Sequence, residues 1–270
     1  MFYTLQANHK LADLSQPIVM GILNLTPDSF FDGGNYLNTE KALFQAEKML
    51  QQGATILDLG AYSTRPNAAF VGLEEEKQRL LPVLEQLIRY FPEAFFSVDT
   101  FRAELAKEAL DSGADIINDV SGGNRAIFEV VAKKKAPYVL THSSQNIENL
   151  TQQVDYTDSV LDLISFFQKK ISELRQLGVE DIVIDLGFGF GKNIPQNYEL
   201  LRRLNEFEVL DLPILVGISR KSMIWRKLGI SPQEALNGTT ALHALAIEKG
   251  AKILRVHDVQ EARQVIDLLG

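Results

Sequence analysis

Short apolar runs recur along the whole chain at regular intervals. Each run is rich in β-branched residues and is close to continuously apolar, which is typical of strands buried on both faces of a parallel sheet. The runs cover residues 18–24, 54–60, 95–100, 115–120, 137–142, 181–187, 213–219 and 252–258. The pattern therefore predicts eight parallel strands.

Longer amphipathic stretches separate these runs. Their apolar residues are spaced three and four apart, which is the spacing of one face of a helix. An example is the series Leu80, Leu81, Leu84, Leu87 and Ile88. Helices are predicted near 39–52, 73–90, 102–112, 125–134, 155–177, 195–206, 221–249 with an interruption around Gly229–Pro232, and 260–269.

Eight strand–helix cycles are the number that closes a TIM barrel. We therefore predict an α/β fold, a single (β/α)8 barrel domain over residues 1–270. The alternative is a doubly wound open sheet, but its G-x-G-x-x-G sequence is absent after the first strand. Ahead of the barrel, "FYTLQ" and "KLADL" flank "ANH" and predict a short N-terminal β-hairpin that plugs the barrel floor.

Composition narrows the possible partners. The 270 residues are 46% hydrophobic and 23% charged, and their net charge of −8 argues against nucleic acid and anionic membranes as partners. The absence of cysteine excludes disulfides, thiolate catalysis and cysteine-ligated metals. The N-terminus lacks a signal-peptide pattern, and no apolar run reaches membrane-spanning length. We expect a cytoplasmic enzyme or binding protein for small molecules.

Polar residues close each of the eight apolar runs. Active sites of such barrels lie at the carboxyl ends of the strands. A single polar residue there can be a helix cap or a turn former, and this alternative holds for Asp119 and Ser219 taken singly. Eight strand ends in succession indicate one shared cavity. Its candidate residues are Asn24, Asp58, Asp99, Asn118, Asp119, His142, Asp185, Ser219, Arg220, Lys221, Arg255 and His257.

These candidates fall into two chemical kinds. Four amide or carboxylate groups suit a heterocycle with several N–H donors and acceptors: Asp58, Asp99, Asn118 and Asp185. Lys221, Arg255 and His257 are cationic or can become so, and they cluster on the last two strands, where barrels often hold phosphate. Arg255 and His257 are two apart, so on a strand they would share a face. The alternative is an exposed basic strand end.

The glycine-rich stretch "GFGFGK" at 187–192 resembles the phosphate-binding loop motif. The stretch does not match that motif, because Leu186 occupies the position of its first glycine and Asn193 the position of its serine or threonine. We interpret it as a flexible loop that carries Phe188 and Phe190 over the cavity. A plain glycine turn is the alternative.

Metal binding by the chain alone is not expected. His142 is either a ligand or a hydrogen-bonded structural histidine, and the chain has no cysteine and no HExxH pattern. A magnesium ion shared with a substrate diphosphate needs only one or two protein oxygens.

Seven motifs occur in an order and spacing that resemble the dihydropteroate synthase family over nearly the whole chain. They are "GILNLTPDSFFDGG", "STRPNA", "SVDT", "IINDV", "DLGFGFGK", "SRKS" and "RVHDV". The resemblance implies a barrel enzyme that joins 4-aminobenzoate to 7,8-dihydropterin-6-ylmethyl diphosphate and releases diphosphate. It also implies magnesium as cofactor and a homodimer.

The resemblance also implies roles for individual residues. Asn24 resembles the magnesium ligand. The pterin-holding set is Asp99, Asn118, Asp185 and Lys221. The diphosphate contacts are Thr64, Arg65, Arg255 and His257. The aminobenzoate walls are Pro66, Phe190, Lys221 and Ser222. Phe30 and Asp32 match a mobile first loop, and Arg65 and Pro66 a second. The groups nearest the chemistry are Asp32, Lys221, Arg255 and His257.

Four positions depart from the common family pattern: Tyr62, Asn67, Ser143 and Leu186. They bear on affinity and loop geometry rather than on bond breaking. Two other functions stay open. A methyltransferase acting on methyltetrahydrofolate would not need "SRKS", "RVHDV" or the long first loop. A silent pterin-binding barrel would be expected to lack Asn24, Lys221 or Arg255, and all three are present.

Overall fold

The computed structural model describes residues 3–25, 34–62, 71–143 and 156–269. Within these ranges eight parallel strands close into a barrel in the order β10-β3-β4-β5-β6-β7-β8-β9, which confirms the predicted fold. The strands are β1 Thr4–Ala7, β2 Lys10–Asp13, β3 Ile18–Asn24, β4 Ile56–Gly60, β5 Phe95–Asp99, β6 Ile116–Asp119, β7 Tyr138–Thr141, β8 Ile182–Asp185, β9 Ile214–Val216 and β10 Ala251–Val256.

Helices follow the barrel strands. They cover Gly34–Gln51, Leu73–Tyr90, Ala103–Asp111, Arg125–Lys134, Ser159–Gln176, Ile194–Arg202, Ser222–Leu228, Leu236–Glu248 and Val259–Leu269, with 3₁₀ turns at Leu204–Leu210 and Pro232–Ala235. Leu73–Tyr90 and Arg125–Lys134 have the predicted bounds. The predicted helix 195–206 is shorter and continues as a 3₁₀ turn. Among the described helices, none is both long and apolar enough to cross a membrane.

Local sequence explains several helix ends. Asn193 and Gln196 form a reciprocal capping box at the start of Ile194–Arg202, and Pro195 sits in the first turn. Lys135 ends the helix Arg125–Lys134 in the left-handed conformation, with φ of 52°. Gly229 ends Ser222–Leu228 in the same way, which explains the predicted interruption at that point.

The N-terminal hairpin closes the barrel floor, as predicted. β1 and β2 pair antiparallel. The apolar residues of the hairpin and those at the bottom of the strands form one buried cluster: Leu5, Ala7, Ala12, Leu14, Ile18, Met20, Ile56, Phe95, Ile116, Val139, Val183, Leu215 and Ile253. Lys10 anchors the hairpin, because its Nζ lies 2.7 Å from Asp115 Oδ2 and 2.7 Å from the Ala94 carbonyl oxygen.

The floor cluster also sets the position of the polar residues. Side chains of a strand alternate between its two faces, so the residue two places further along points the same way. Two places beyond Ile56, Ile116, Val183 and Ile253 stand four polar side chains, each one level above the apolar floor: Asp58, Asn118, Asp185 and Arg255.

Candidate active site

Arg255 links two acids at the centre of this polar level. Its Nε donates to Asp58 Oδ2 at 2.7 Å, and its Nη2 donates to Asp99 Oδ2 at 2.8 Å. Asn118 Nδ2 donates to the same Asp58 oxygen at 3.0 Å. This orients the Asn118 amide with its nitrogen toward Asp58 and its oxygen turned away. Side chains from β4, β5, β6 and β10 thus form one hydrogen-bonded set.

The two acids of this set differ in exposure, because Asp99 is half-buried. Asp58 is fully buried, and its Oδ1 has no hydrogen-bond partner among the described residues. Burial raises the pKa of Asp99 to about 7, and Asp58 adds to this shift while Arg255 opposes it. A carboxyl group whose pKa lies near neutrality within a cluster of strand-end polar groups is a candidate functional group.

A second set lies on β8 and on the segments that follow β8 and β9. Asp185 Oδ1 accepts the Gly187 backbone N–H at 2.9 Å. Lys221, the residue before helix Ser222–Leu228, donates through Nζ to the Phe188 carbonyl and lies 4.6 Å from the centre of the Phe190 ring. The loop after β8 therefore brings Lys221 close to both Asp185 and Phe190.

In this second set, Asp185 and Lys221 each reduce the effect of burial on the other's pKa. Burial raises the pKa of Asp185, and Lys221 opposes that rise. Burial lowers the pKa of Lys221 to about 8, and Asp185 opposes that fall. An ammonium and a carboxylate that share a buried site in this way suit a polar substrate that can replace water around both.

One prediction for the glycine loop is wrong. Phe188 does not cover the cavity, because it is fully buried in the main apolar core. Gly187 and Gly189 have φ of 65° and 83°, and these left-handed turns direct Phe188 inward. Phe190 is half-buried beside Lys221.

The last strand also differs from prediction. β10 ends at Val256, so His257 follows the strand and is exposed, whereas Arg255 points into the barrel. His257 Nδ1 lies 3.2 Å from Ser219 Oγ, and its backbone N–H donates to the same hydroxyl at 3.2 Å. Arg255 and His257 thus occupy different depths of the site. Ser219 supports His257.

Two polar strand-end residues support the scaffold instead of the cavity. Asp119 accepts the Tyr138 hydroxyl at 2.6 Å and the Ser121 backbone N–H at 2.7 Å, which is the turn-forming alternative. Arg220 pairs with Asp258 at 2.8 Å. His142 is also structural: it is buried, and burial, together with Lys192, holds its pKa well below the usual value, so it is neutral.

Asn24 stands at the end of β3 beside Gly60. Its side chain is half-buried and makes no hydrogen bond to a described residue, so its amide oxygen is available as a ligand. Within the described ranges, no group of three His, Cys, Asp or Glu residues could hold a metal ion. A single amide oxygen from Asn24 fits a magnesium ion that takes most of its oxygen ligands from substrate and water.

Several predicted residues lie outside the described residues: Phe30, Asp32, Thr64, Arg65, Pro66 and Asn67. Three of the four departures from the family pattern are described. Leu186 is fully buried in the main core, and Ser143 is buried. Tyr62 packs edge-on against Phe101, with ring centres 5.3 Å apart.

Two buried residues have contacts that the sequence did not predict. Asp58 was placed among the strand-end acids only as a member of the group, yet it receives both Arg255 and Asn118. Lys192 was considered only as part of a phosphate motif, yet it lies beneath the glycine loop. A lysine directly after a glycine run was the available signal, but nothing local shows that its ammonium is buried.

A closed parallel barrel with a buried set of acids, an amide and cations above its floor defines a barrel enzyme with a site for a polar heterocycle. The family model described as pterin binding enzyme matches residues 20–257. The chain is 43% identical over 258 residues to the dihydropteroate synthase of Haemophilus influenzae, which covers 94% of each chain. It is 45% identical over 252 residues to that of Escherichia coli K12, covering 92% of this chain and 89% of the relative.

Solved structures give the same result. The dihydropteroate synthase of Xanthomonas albilineans, solved with 4-aminobenzoic acid, superposes with a TM-score of 0.92 at 36% identity, covering 100% of this chain and 97% of the other. The chain belongs to the family of pterin-binding enzymes. Within that family its function is that of the dihydropteroate synthases, transferases of folate biosynthesis.

Proposed function

We propose that the two described sets divide the work of joining 4-aminobenzoate to (7,8-dihydropterin-6-yl)methyl diphosphate. The observation that carries the proposal is the pair of adjoining hydrogen-bonded sets, one centred on Arg255 and one on Asp185 and Lys221. Together they offer acceptors for ring N–H groups and cations for an anionic leaving group within one cavity.

The acids hold the pterin ring. A carboxylate at Asp185 can accept from a ring N–H and from the exocyclic amine at once. Asp99 and Asn118 supply further acceptors from β5 and β6, with Asn118 held by Asp58. These negative groups also favour positive charge on the pterin methylene as its bond to oxygen breaks.

The cations receive the charge that develops on diphosphate. Arg255 donates through Nε and Nη2 to the acids, and its Nη1 makes no hydrogen bond to a described residue, so this group can face an anion. His257 lies further out, toward the opening of the barrel. By the resemblance, Thr64 and Arg65 complete the diphosphate contacts.

Asn24 would hold magnesium through its amide oxygen, with the diphosphate providing other ligands. Bound magnesium supplies positive charge that stabilises the departing diphosphate. Two observations support this proposal: Asn24 ends β3, and its side chain has no competing hydrogen bond to a described residue.

Aminobenzoate packs against Phe190, with Lys221, Ser222 and Pro66 as the other walls implied by the resemblance. Lys221 lies over Phe190, so the aromatic wall and a cation meet at one point. The aniline nitrogen attacks the methylene, the new C–N bond replaces the C–O bond to diphosphate, and the nitrogen releases one proton to the departing diphosphate or to water. No residue has to form a covalent intermediate.

The test is diphosphate release by the purified protein. With the pterin diphosphate, 4-aminobenzoate and magnesium, we expect the protein to release one diphosphate for each dihydropteroate that it forms. Omitting 4-aminobenzoate is the control. Methyl transfer from methyltetrahydrofolate, without diphosphate release, would support the methyltransferase alternative. Pterin binding with neither reaction would support the silent barrel.

The resemblance also supports a homodimer located in the cytoplasm. Light scattering coupled to gel filtration tests the first, because the measured mass equals either one chain or two. Cell fractionation tests the second.

A further inference from the structure

Lys192 lies buried under the glycine loop 187–191 and takes no part in the reaction as described. Only 6% of the residue is exposed. Its Nζ lies 3.0 Å from each of three acceptors, namely the Gly187 carbonyl, the Phe190 carbonyl and His142 Nδ1. An ammonium has three donors and no acceptor, so this cage satisfies it completely.

We propose that Lys192 is a positioning residue, whose ammonium holds the loop after β8 in the shape that aligns Asp185, Phe190 and Lys221 with the substrates. The residue touches no substrate in this arrangement. It acts through the loop peptides that separate it from the cavity.

The loop connects to the site at both of its ends. The Gly187 N–H holds Asp185, while the carbonyl of the same residue accepts from Lys192. Phe190 contributes its ring to Lys221 and its carbonyl to Lys192. Gly187 and Phe190 thus each contact a residue of the site, Asp185 or Lys221, and also accept a hydrogen bond from the buried Lys192 ammonium.

The loop backbone needs such support. Gly187, Gly189 and Gly191 all have left-handed φ, at 65°, 83° and 64°. Glycine adopts these angles readily but is also free to leave them, so the loop conformation must be fixed by contacts. Asn197 fixes the outer side, because its Oδ1 accepts the Gly189 N–H at 2.7 Å. Lys192 fixes the inner side.

Burial and the neighbouring charges act on the Lys192 ammonium in opposite directions. Burial lowers the pKa of Lys192 to about 7, with Asp185 opposing that fall and Lys221 adding to it. His142 is neutral, so its Nδ1 can accept while Nε2 carries the proton. The groups that face the ammonium are therefore an anion, a second cation and a neutral histidine.

The experiment compares Lys192→Met with Lys170→Met. Lys170 also donates to a glycine carbonyl in a loop, that of Gly123 at 2.9 Å, but this loop follows β6 and not β8. For each variant we would measure kcat, the KM of both substrates and the folded fraction by circular dichroism at the assay temperature. We expect Lys192→Met to lose about 10- to 100-fold in kcat/KM while folded, because small misplacements of reacting groups have effects of this size. Lys170→Met should retain wild-type kinetics.

A double-mutant cycle separates positioning from general destabilisation. If Lys192 acts through the loop, combining Lys192→Met with Phe190→Leu should cost less than the sum of the single losses, since both changes disturb one unit. Additive losses, unchanged kinetics in folded Lys192→Met, or an equal loss in Lys170→Met would overturn the proposal.

Lys192→Gln carries the test if the methionine variant does not fold. Its amide keeps two donors for the Gly187 and Phe190 carbonyls but no charge, so a smaller loss of the same kind is expected. Wild-type kinetics in this variant would also contradict a role for the ammonium.

Discussion

Replacing Arg255 by methionine tests the centre of the site. In the folded protein its guanidinium neutralises Asp58, whose side chain is 0% exposed, and Asp99, which is 17% exposed. Methionine fills much of the same volume but leaves both acids without their cation. Asn118 still donates to Asp58, so Asp58 keeps one neutral partner.

The expected loss of stability is large. Removing one partner of a buried ion pair leaves an uncompensated charge and typically costs about 3–5 kcal/mol. For a chain of this size, such a loss lowers the melting temperature by about 10 °C. Arg125→Met is the matched control: Arg125 pairs with Glu129 at 2.7 Å, but both side chains are mostly exposed. Its loss should stay below about 0.5 kcal/mol.

The loss depends on pH in a defined direction. The pKa of Asp99 is already raised to about 7 in the folded protein, against an ordinary value near 3.8. Without Arg255 it rises further, so the folded variant binds protons more tightly than the unfolded chain. A group of this kind gives stability below its unfolded pKa and loses it as pH rises through the folded pKa. The deficit relative to wild type should therefore be larger at pH 8 than at pH 5.

Urea unfolding followed by circular dichroism at pH 5 and pH 8 measures both quantities. Adding Asp58→Asn to Arg255→Met removes one buried charge and should recover part of the loss at pH 8. A deficit under about 1 kcal/mol at pH 8 would contradict the described pairing. So would a deficit of equal size at the two pH values. Calorimetry on the same variant should also show weaker pterin binding, because Arg255 holds Asp99 in place.

Three further changes test other parts of the structure. Asp185→Asn should weaken binding of a pterin without diphosphate by about 10- to 100-fold in calorimetry, because the amide offers a donor where the ring presents donors; unchanged affinity would remove Asp185 from the pterin site. Tyr138→Phe deprives buried Asp119 of its hydroxyl donor and should lower the free energy of unfolding by about 1–3 kcal/mol in urea, whereas an unchanged midpoint would mean that the 2.6 Å contact adds nothing. Lys10→Met unties the hairpin from buried Asp115 and should lower the melting temperature with kcat/KM intact, since the contact lies at the floor; a fall in kcat/KM at an unchanged melting temperature would refute this.

The sequence by itself determined the order of elements and the residues at the strand ends. Strand and helix periodicities are local, and eight cycles of parallel strands have few ways to bury every apolar face. Closure into a barrel then brings all carboxyl ends together. For this reason Asp99, Asn118 and Asp185 could be placed at the site from their positions after apolar runs alone.

Tertiary structure decided which of those residues meet, and what each one does. Arg255 and Asp58 are 197 residues apart, and their pairing depends on where the closing strand lies relative to the others. Asp119 turned away from the cavity because Asn118, its neighbour, occupies the inward face of the same strand. Phe188 and Lys192 are buried by the conformation of the loop after β8, whose three glycines could adopt many backbone conformations. Which conformation is adopted depends on contacts with His142, Asn197 and Lys221, and no local pattern encodes contacts between segments so distant along the chain.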